Sequence, residues 1–275
     1  MSPNERRVGD RYRITPQDLE DFRRDGYVHL KGVLSEAEIA PIEEVYQRFV
    51  RGEIEVPGKD FCDMSGDYAR DPSAFAIINV MLPRRYHPPW QGNLLERRAA
   101  TIAEQLQGPG LELDYDQLLA KRPERPDAVF GWHQDLAYWP RTPDVRTATI
   151  WFALDDSKVE NGCMRFVPGS HREPKLRTHG PLHGDREKSH TMVARVDEDR
   201  DLIRCAEIAR GDCTVHDERV LHGSGGNTSK RWRRAYIIAF RAKETVAFER
   251  GLGFTHSHND APEVLKHIAE LARKG

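Results

Sequence analysis

The chain has 275 residues, enough for one domain with a sizeable core. Its 42 Lys and Arg against 44 Asp and Glu leave a formal charge of −2, which gives no electrostatic case for nucleic acid or an anionic membrane as partner. Apolar residues reach 38% in periodic runs although mean hydropathy is −0.70, so the chain reads as globular, and no stretch approaches a membrane span.

Thr15 before Pro16 is an N-cap followed by proline at the first helical position, and Leu19 and Phe22 supply an apolar face that stops before Gly26. That predicts a short helix over 16–24. Tyr27-Val28-His29-Leu30 reads as a strand, and the S-x-x-E box of Ser35 and Glu38 opens a second helix with Ile39, Ile42, Val45, Tyr46 and Phe49 on one face and Pro41 as a candidate kink. From 52 to about 73 the chain is polar and aperiodic, a long loop of the kind that covers sites. Asn93 caps a third helix carrying Leu94, Leu95, Ile102 and Leu106, ending at Gly108. Beyond Gly110 the spacing changes to short strands, expected at 111–120, 130–136, 146–154, 163–167, 212–216 and 233–241. In the third of these, Thr147, Thr149, Trp151 and Ala153 share the wetter face, which suits a pocket lining. Segment 169–190, with five Arg or Lys and four His, reads as an exposed basic loop that is either solvated or receives an anionic substrate. A closing helix over 261–274 places Val264, Ile268 and Leu271 on one side. The four cysteines show no C-x-x-C pair and read as reduced core thiols. No signal-peptide stretch or lipidation signal is visible, so a cytoplasmic enzyme, monomer or homodimer, acting on a small molecule is the expectation.

The chemistry concentrates in Gly131-Trp132-His133-Gln134-Asp135-Leu136. His133 and Asp135 are two apart and point to one side of an extended strand, so one strand can supply two metal ligands. His222 can bring a second imidazole from a distant strand. Two histidines and a carboxylate on one face leave positions open for a bidentate oxo-acid and O₂, the pattern of non-haem Fe(II) oxygenases. His216 competes with His222 as third ligand, since six residues preserve strand parity, and the Gly-Ser-x-x-Asn that follows favours His222. A 2-oxoglutarate cosubstrate needs a cation for its distal carboxylate; Arg233 fits, with Ser224 as hydroxyl donor, while Arg234 on the other strand face is a rival.

The chain resembles the phytanoyl-CoA dioxygenase family of Fe(II)/2-oxoglutarate oxygenases, through H-Q-D-L at 133–136, P-G-S-H at 168–171, G-D at 211–212, H-G-S-x-x-N at 222–227 and the arginine eleven after that histidine. The likeness starts at D-G-Y-V-H-L, 25–30, and spans most of the chain. It implies His133, Asp135 and His222 for iron, and Arg233 with Ser224 for 2-oxoglutarate. It also implies Gln134 and Trp151 beside the cosubstrate and Lys121 near the pocket. The fold implied is mainly β, a double-stranded β-helix (a cupin-like jelly roll) closed around the metal and buttressed by N-terminal helices. One domain spans 1–275: helices to about 110, the jelly roll over about 111–245, and the closing helix. The activity implied is hydroxylation of an aliphatic C–H with release of succinate and CO₂; desaturation, epimerisation and ring closure are alternatives. Asp135 disfavours halogenation, whose enzymes replace this carboxylate with a small residue. A non-catalytic cupin-like metal and ligand binder is the rival of another class.

Overall fold

The structure is a computed structural model that describes residues 1–274. In chain order its principal elements are α1 (Pro16–Asp25), β1 (Tyr27–Leu30), α2 (Glu36–Val50), β2 (Phe61–Asp63), β3 (Ile77–Met81), α3 (Leu94–Gln107), β4 (Leu111–Lys121), β5 (Phe130–His133), β6 (Thr147–Ala153), β7 (Met164–Phe166), β8 (His179–Pro181), β9 (Met192–Ala194), β10 (Arg204–Ala206), β11 (Cys213–His216), β12 (His222–Ser224), β13 (Arg233–Ala242), α4 (Lys243–Gly251) and α5 (Pro262–Lys274).

Two antiparallel sheets form the core: seven strands in the order β1-β11-β6-β13-β4-β3-β2, and four in the order β10-β7-β12-β5. They share no strand, so the cupin-like jelly roll expected from the sequence is built as an open pair of layers rather than a closed barrel. The alternation in β6 sorts its side chains. Ile150, Phe152 and Leu154, with Val215, Tyr236 and Ile238, pack on Ile39, Ile42, Tyr46 and Phe49 of α2 and Leu95, Ile102 and Leu106 of α3. Trp151 and Ala153, with Ala235 and Ile237, face Met164 and Phe166 of the small sheet. The large sheet is therefore buried on both sides, by helices on one and by strands on the other.

Local signals account for the helix starts. Thr15 Oγ1 accepts from Asp18 N at 3.1 Å while the Asp18 carboxylate accepts from Thr15 N at 2.6 Å. At α2, which runs unbroken through Pro41, Glu38 accepts from Ser35 N at 2.9 Å. Glu38 is also gripped by buried Arg98 of α3, Nη2 to Oε1 at 2.7 Å and Nη1 to Oε2 at 2.9 Å. That grip, against an opposing contribution from burial, lowers the Glu38 pKa from 4.5 to about 2. A carboxylate depressed in the folded state contributes stability that is complete above its unfolded pKa and lost as pH falls through the folded one. The stability advantage of the wild type over Glu38→Gln in urea unfolding should be constant above about pH 5 and should shrink steadily toward pH 2. A gap independent of pH over that window would remove the ion pair from the account.

Several expectations change. The loop after Gly52 contains edge strand β2 and forms cavity wall, and β3, Ile77-Ile78-Asn79-Val80-Met81, was not expected as a strand because it is buried on both faces and shows no apolar–polar alternation. The segment 169–190 is not simply an exposed loop: it contains β8, which pairs with β9, and Gly131 accommodates that hairpin, since a Cβ there would lie 2.3 Å from Val193 Cγ1. Helix α4 was also unforeseen. Among the cysteines, 62, 163 and 213 are buried and free, but Cys205 is exposed. Among the described residues no helix is long and apolar enough to cross a membrane.

Candidate active site

β5 and β12 pair antiparallel, with His133 directly opposite His222. Strand β5 ends at His133, yet Gln134 keeps extended angles (φ −122°, ψ 126°), so Asp135 still turns to the same side although it begins a single 3₁₀ turn rather than continuing the expected strand. Gly223 lets the strands close up, because a Cβ there would meet Phe130 O at 3.0 Å and Trp132 N at 3.2 Å. Asp135 Oδ1 consequently lies 3.4 Å from His133 Nε2 and 3.5 Å from His222 Nε2. All three residues are buried, and one ligand atom from each falls within 4.8 Å of the others.

The electrostatics fit a divalent cation. The Nδ1 nitrogens of His133 and His222 point at Gly131 O (2.8 Å) and Val220 O (3.0 Å), so each Nδ1 carries the proton and each Nε2 presents its lone pair inward. Burial and then the neighbouring His133 push the His222 pKa well below that of a free imidazole, which keeps it a neutral donor. Burial alone would raise Asp135, but the surrounding imidazoles hold it well below the usual carboxylate range. His216 is the near miss. Its Nε2 contacts the other carboxylate oxygen, Asp135 Oδ2, at 3.3 Å, which suits a group that orients the ligand.

Beside the triad lies a cavity of about 1280 Å³. Ser224, Trp151 and Arg233 line it, as do the three candidate ligands. The Arg233 guanidinium stands over the Trp151 ring at 5.0 Å, and its Nε and Nη1 are buried without any hydrogen-bond partner. Burial lowers its pKa to about 10, so it remains charged at neutral pH. The neighbouring Arg234 differs: it holds Asp155 through Nε (2.8 Å) and Nη2 (2.6 Å), and Glu43 at 2.6 Å. Lys121 does not line the cavity. It sits behind, Nζ donating to Ser224 Oγ at 2.7 Å and to Gly225 O, and burial with the adjacent Arg233 drives its pKa well below the ordinary lysine value. Gln134 is also turned away, its side chain joining Arg219 O (2.6 Å) to Arg177 N (2.9 Å).

The shared motifs outside the triad are mechanical. Asp212 accepts from Gly32 N at 2.7 Å and meets His29 Nε2 at 2.7 Å, fastening β1 to β11. Ser170 Oγ accepts from Leu221 N at 2.8 Å, steadying the entry to His222.

A model of the family described as phytanoyl-CoA dioxygenase (PhyH) matches residues 22–235. The chain belongs to the phytanoyl-CoA dioxygenase family. It is thereby a non-haem-iron, 2-oxoglutarate-dependent dioxygenase. EvdO2 from Micromonospora carbonacea var. aurantiaca, solved with 2-oxoglutarate, is 31% identical, with TM-score 0.68 over 84% of this chain and 91% of that one. The epimerase SnoN, solved with Fe³⁺, α-ketoglutarate and nogalamycin RO, is 27% identical with TM-score 0.60 over 82% of each chain. The phytanoyl-CoA dioxygenase domain-containing protein 1 homolog of Dictyostelium discoideum is 36% identical over 112 residues, a match that spans only 39% of either chain.

The dioxygenase's cavity has walls that the sequence reading missed. Phe254, His256 and His258 enter from the segment after α4, Leu265 and Ile268 from α5, and Arg186 and His190 from the hairpin. The run G-F-T-H-S-H-N-D, with two histidines in a turn-rich stretch, was a usable signal. His256 takes a left-handed conformation (φ 67°) and is held by Asp114 at 2.8 Å and Glu249 at 3.2 Å. These three could form a second metal cluster, but Arg241 Nη1 already lies 3.1 Å from Asp114 and 2.7 Å from Glu249, so the group is a filled ion-pair network.

Proposed function

We propose that His133, Asp135 and His222 hold Fe(II), that Arg233 with Ser224 binds the distal carboxylate of 2-oxoglutarate, and that the enzyme hydroxylates an aliphatic C–H of a small molecule in the cavity, releasing succinate and CO₂. The unpartnered Arg233 carries this reading. Arg6, Arg98 and Arg241, the other buried arginines among the described residues, each grip a carboxylate. A buried guanidinium without one is costly unless a ligand completes it, and a dicarboxylate cosubstrate does so.

Bound Fe(II) would activate O₂, the oxidant for C–H cleavage, with 2-oxoglutarate supplying two of the electrons as it is converted to succinate and CO₂. The chain supplies the rest. The two imidazoles and the Asp135 carboxylate leave one side open for cosubstrate and O₂. Their Nδ1 hydrogen bonds and His216 fix ligand orientation, and Lys121 holds the Ser224 turn. Trp151 shields the Arg233 face from water, which strengthens its pairing with an anion. A second outcome, epimerisation, is supported by the likeness to SnoN; where the substrate carbon sits relative to the metal decides between them.

The test is anaerobic addition of Fe(II) and 2-oxoglutarate to the apoprotein. The visible metal-to-ligand charge-transfer band of a chelated oxo-acid is expected, and it should vanish in His133→Ala. Intact metal binding without a band would count against Arg233 and Ser224 as the 2-oxoglutarate site.

A further inference from the structure

Arg186 is a second guanidinium in the cavity that no carboxylate satisfies. Among the described residues none lies within ion-pair distance of it. Its Cζ stands over the Tyr138 ring at 5.4 Å, and the Tyr138 ring lies 6.0 Å from that of the candidate ligand His133. Nη1 donates to His190 O at 2.7 Å. The Nε–Nη2 edge has no protein acceptor, yet it is the same edge that Arg234 offers bidentately to Asp155. The planar group is thus anchored at one corner, stacked on one face, and open along the edge that matches a carboxylate or phosphoryl group.

Neighbouring charges do not supply the missing anion. Glu187, Asp260 and Glu263 line the cavity together with Lys59, Lys266 and Arg273, but none of the three carboxylates pairs with Arg186, and Asp260 is engaged by Thr255 N and Oγ1 at 2.6 and 2.7 Å. Burial lowers the pKa of both His190 and His258, stacked at 4.0 Å, so neither adds positive charge at neutral pH. The Tyr138 ring beneath Arg186 belongs to an apolar cluster with Met81, Phe254, Leu265 and Ile268, which line the same cavity.

We propose that the substrate is amphipathic and anionic, its carboxylate or phosphoryl group bound by the Nε–Nη2 edge of Arg186 and its apolar body laid along this cluster. The proposal rests on the cavity being the oxygenase's substrate cavity. It assigns Arg186 a binding role separate from that of Arg233, which takes the cosubstrate.

The experiment uses protein loaded anaerobically with Fe(II) and 2-oxoglutarate, titrated calorimetrically with octanoate, octyl phosphate and uncharged octan-1-ol while the charge-transfer band is followed. The anions should bind at least about 10-fold more tightly than the alcohol. Arg186→Gln should weaken them by about 10- to 100-fold and leave the alcohol unchanged, while Arg186→Lys, which keeps the charge but not the planar two-donor edge, should recover only part of the loss. The stronger of the two anions identifies the group. Equal binding of the alcohol, no binding of any probe, insensitivity to Arg186→Gln, or displacement of octanoate by excess 2-oxoglutarate would each overturn the proposal. Anion binding that depends on Arg186 without a charge-transfer band would uphold it and count against the cosubstrate assignment alone.

Discussion

Replacing Arg233 with leucine is expected to weaken 2-oxoglutarate binding by about 100- to 1000-fold while Fe(II) still binds. Truncating one partner of a buried, hydrogen-bonded charge pair costs roughly 2–5 kcal/mol, and each 1.4 kcal/mol is tenfold. No other cation stands ready: Arg234 is committed to Asp155 and Glu43, and Lys121 to Ser224 and Gly225. Calorimetric titration of the anaerobic Fe(II) protein measures the effect. Arg234→Leu is the informative control, expected to keep cosubstrate affinity within a few-fold and to lower stability, because it strips Asp155 of its ion-pair partner and leaves Glu43 with Arg210 alone. Unchanged 2-oxoglutarate affinity in Arg233→Leu would remove Arg233 from the site.

The second large effect separates the two histidines that compete for the third ligand position. His222→Ala should weaken Fe(II) binding by at least about 100-fold, since a direct ligand contributes on the order of 3 kcal/mol. His216→Ala should cost only about 10-fold, the scale of losing a group that orients a ligand. The geometry behind this is the division of Asp135: His133 and His222 converge on Oδ1, whereas His216 reaches Oδ2. Fe(II) titration against a chelator distinguishes the variants, and a reversed order of losses would reassign the ligand set.

Much of the site was legible because its rules are local. Strand parity places His133 and Asp135 on one side, and it survives the early end of β5 because Gln134 stays extended. The same parity put Thr149 and Trp151 on the face that lines the cavity. It separated Arg233 from Arg234 without saying which faced inward. Gln134 and Lys121 were expected beside the cosubstrate and the pocket, yet one tethers the 177–179 segment and the other braces the Ser224 turn. A side chain's hydrogen-bond partners come from distant strands, and no spacing rule reaches them.

By itself, then, the sequence determined the helix caps, the order of helices before strands, the pairing of His133 with Asp135 and the family. All depend on interactions within a few residues or on motifs of fixed spacing. Only the tertiary structure decided that α2 covers the Arg234 face with Glu43 and leaves Arg233 bare, that His222 rather than His216 shares Oδ1 with His133, and that the hairpin and the segment after α4 bring Arg186, Phe254 and His258 into one cavity. Those outcomes turn on which surfaces are buried against each other by residues far apart in the chain, such as Glu43 and Arg234. Burial, through the loss of water around a charge, determines whether an arginine is already paired or still open to a ligand.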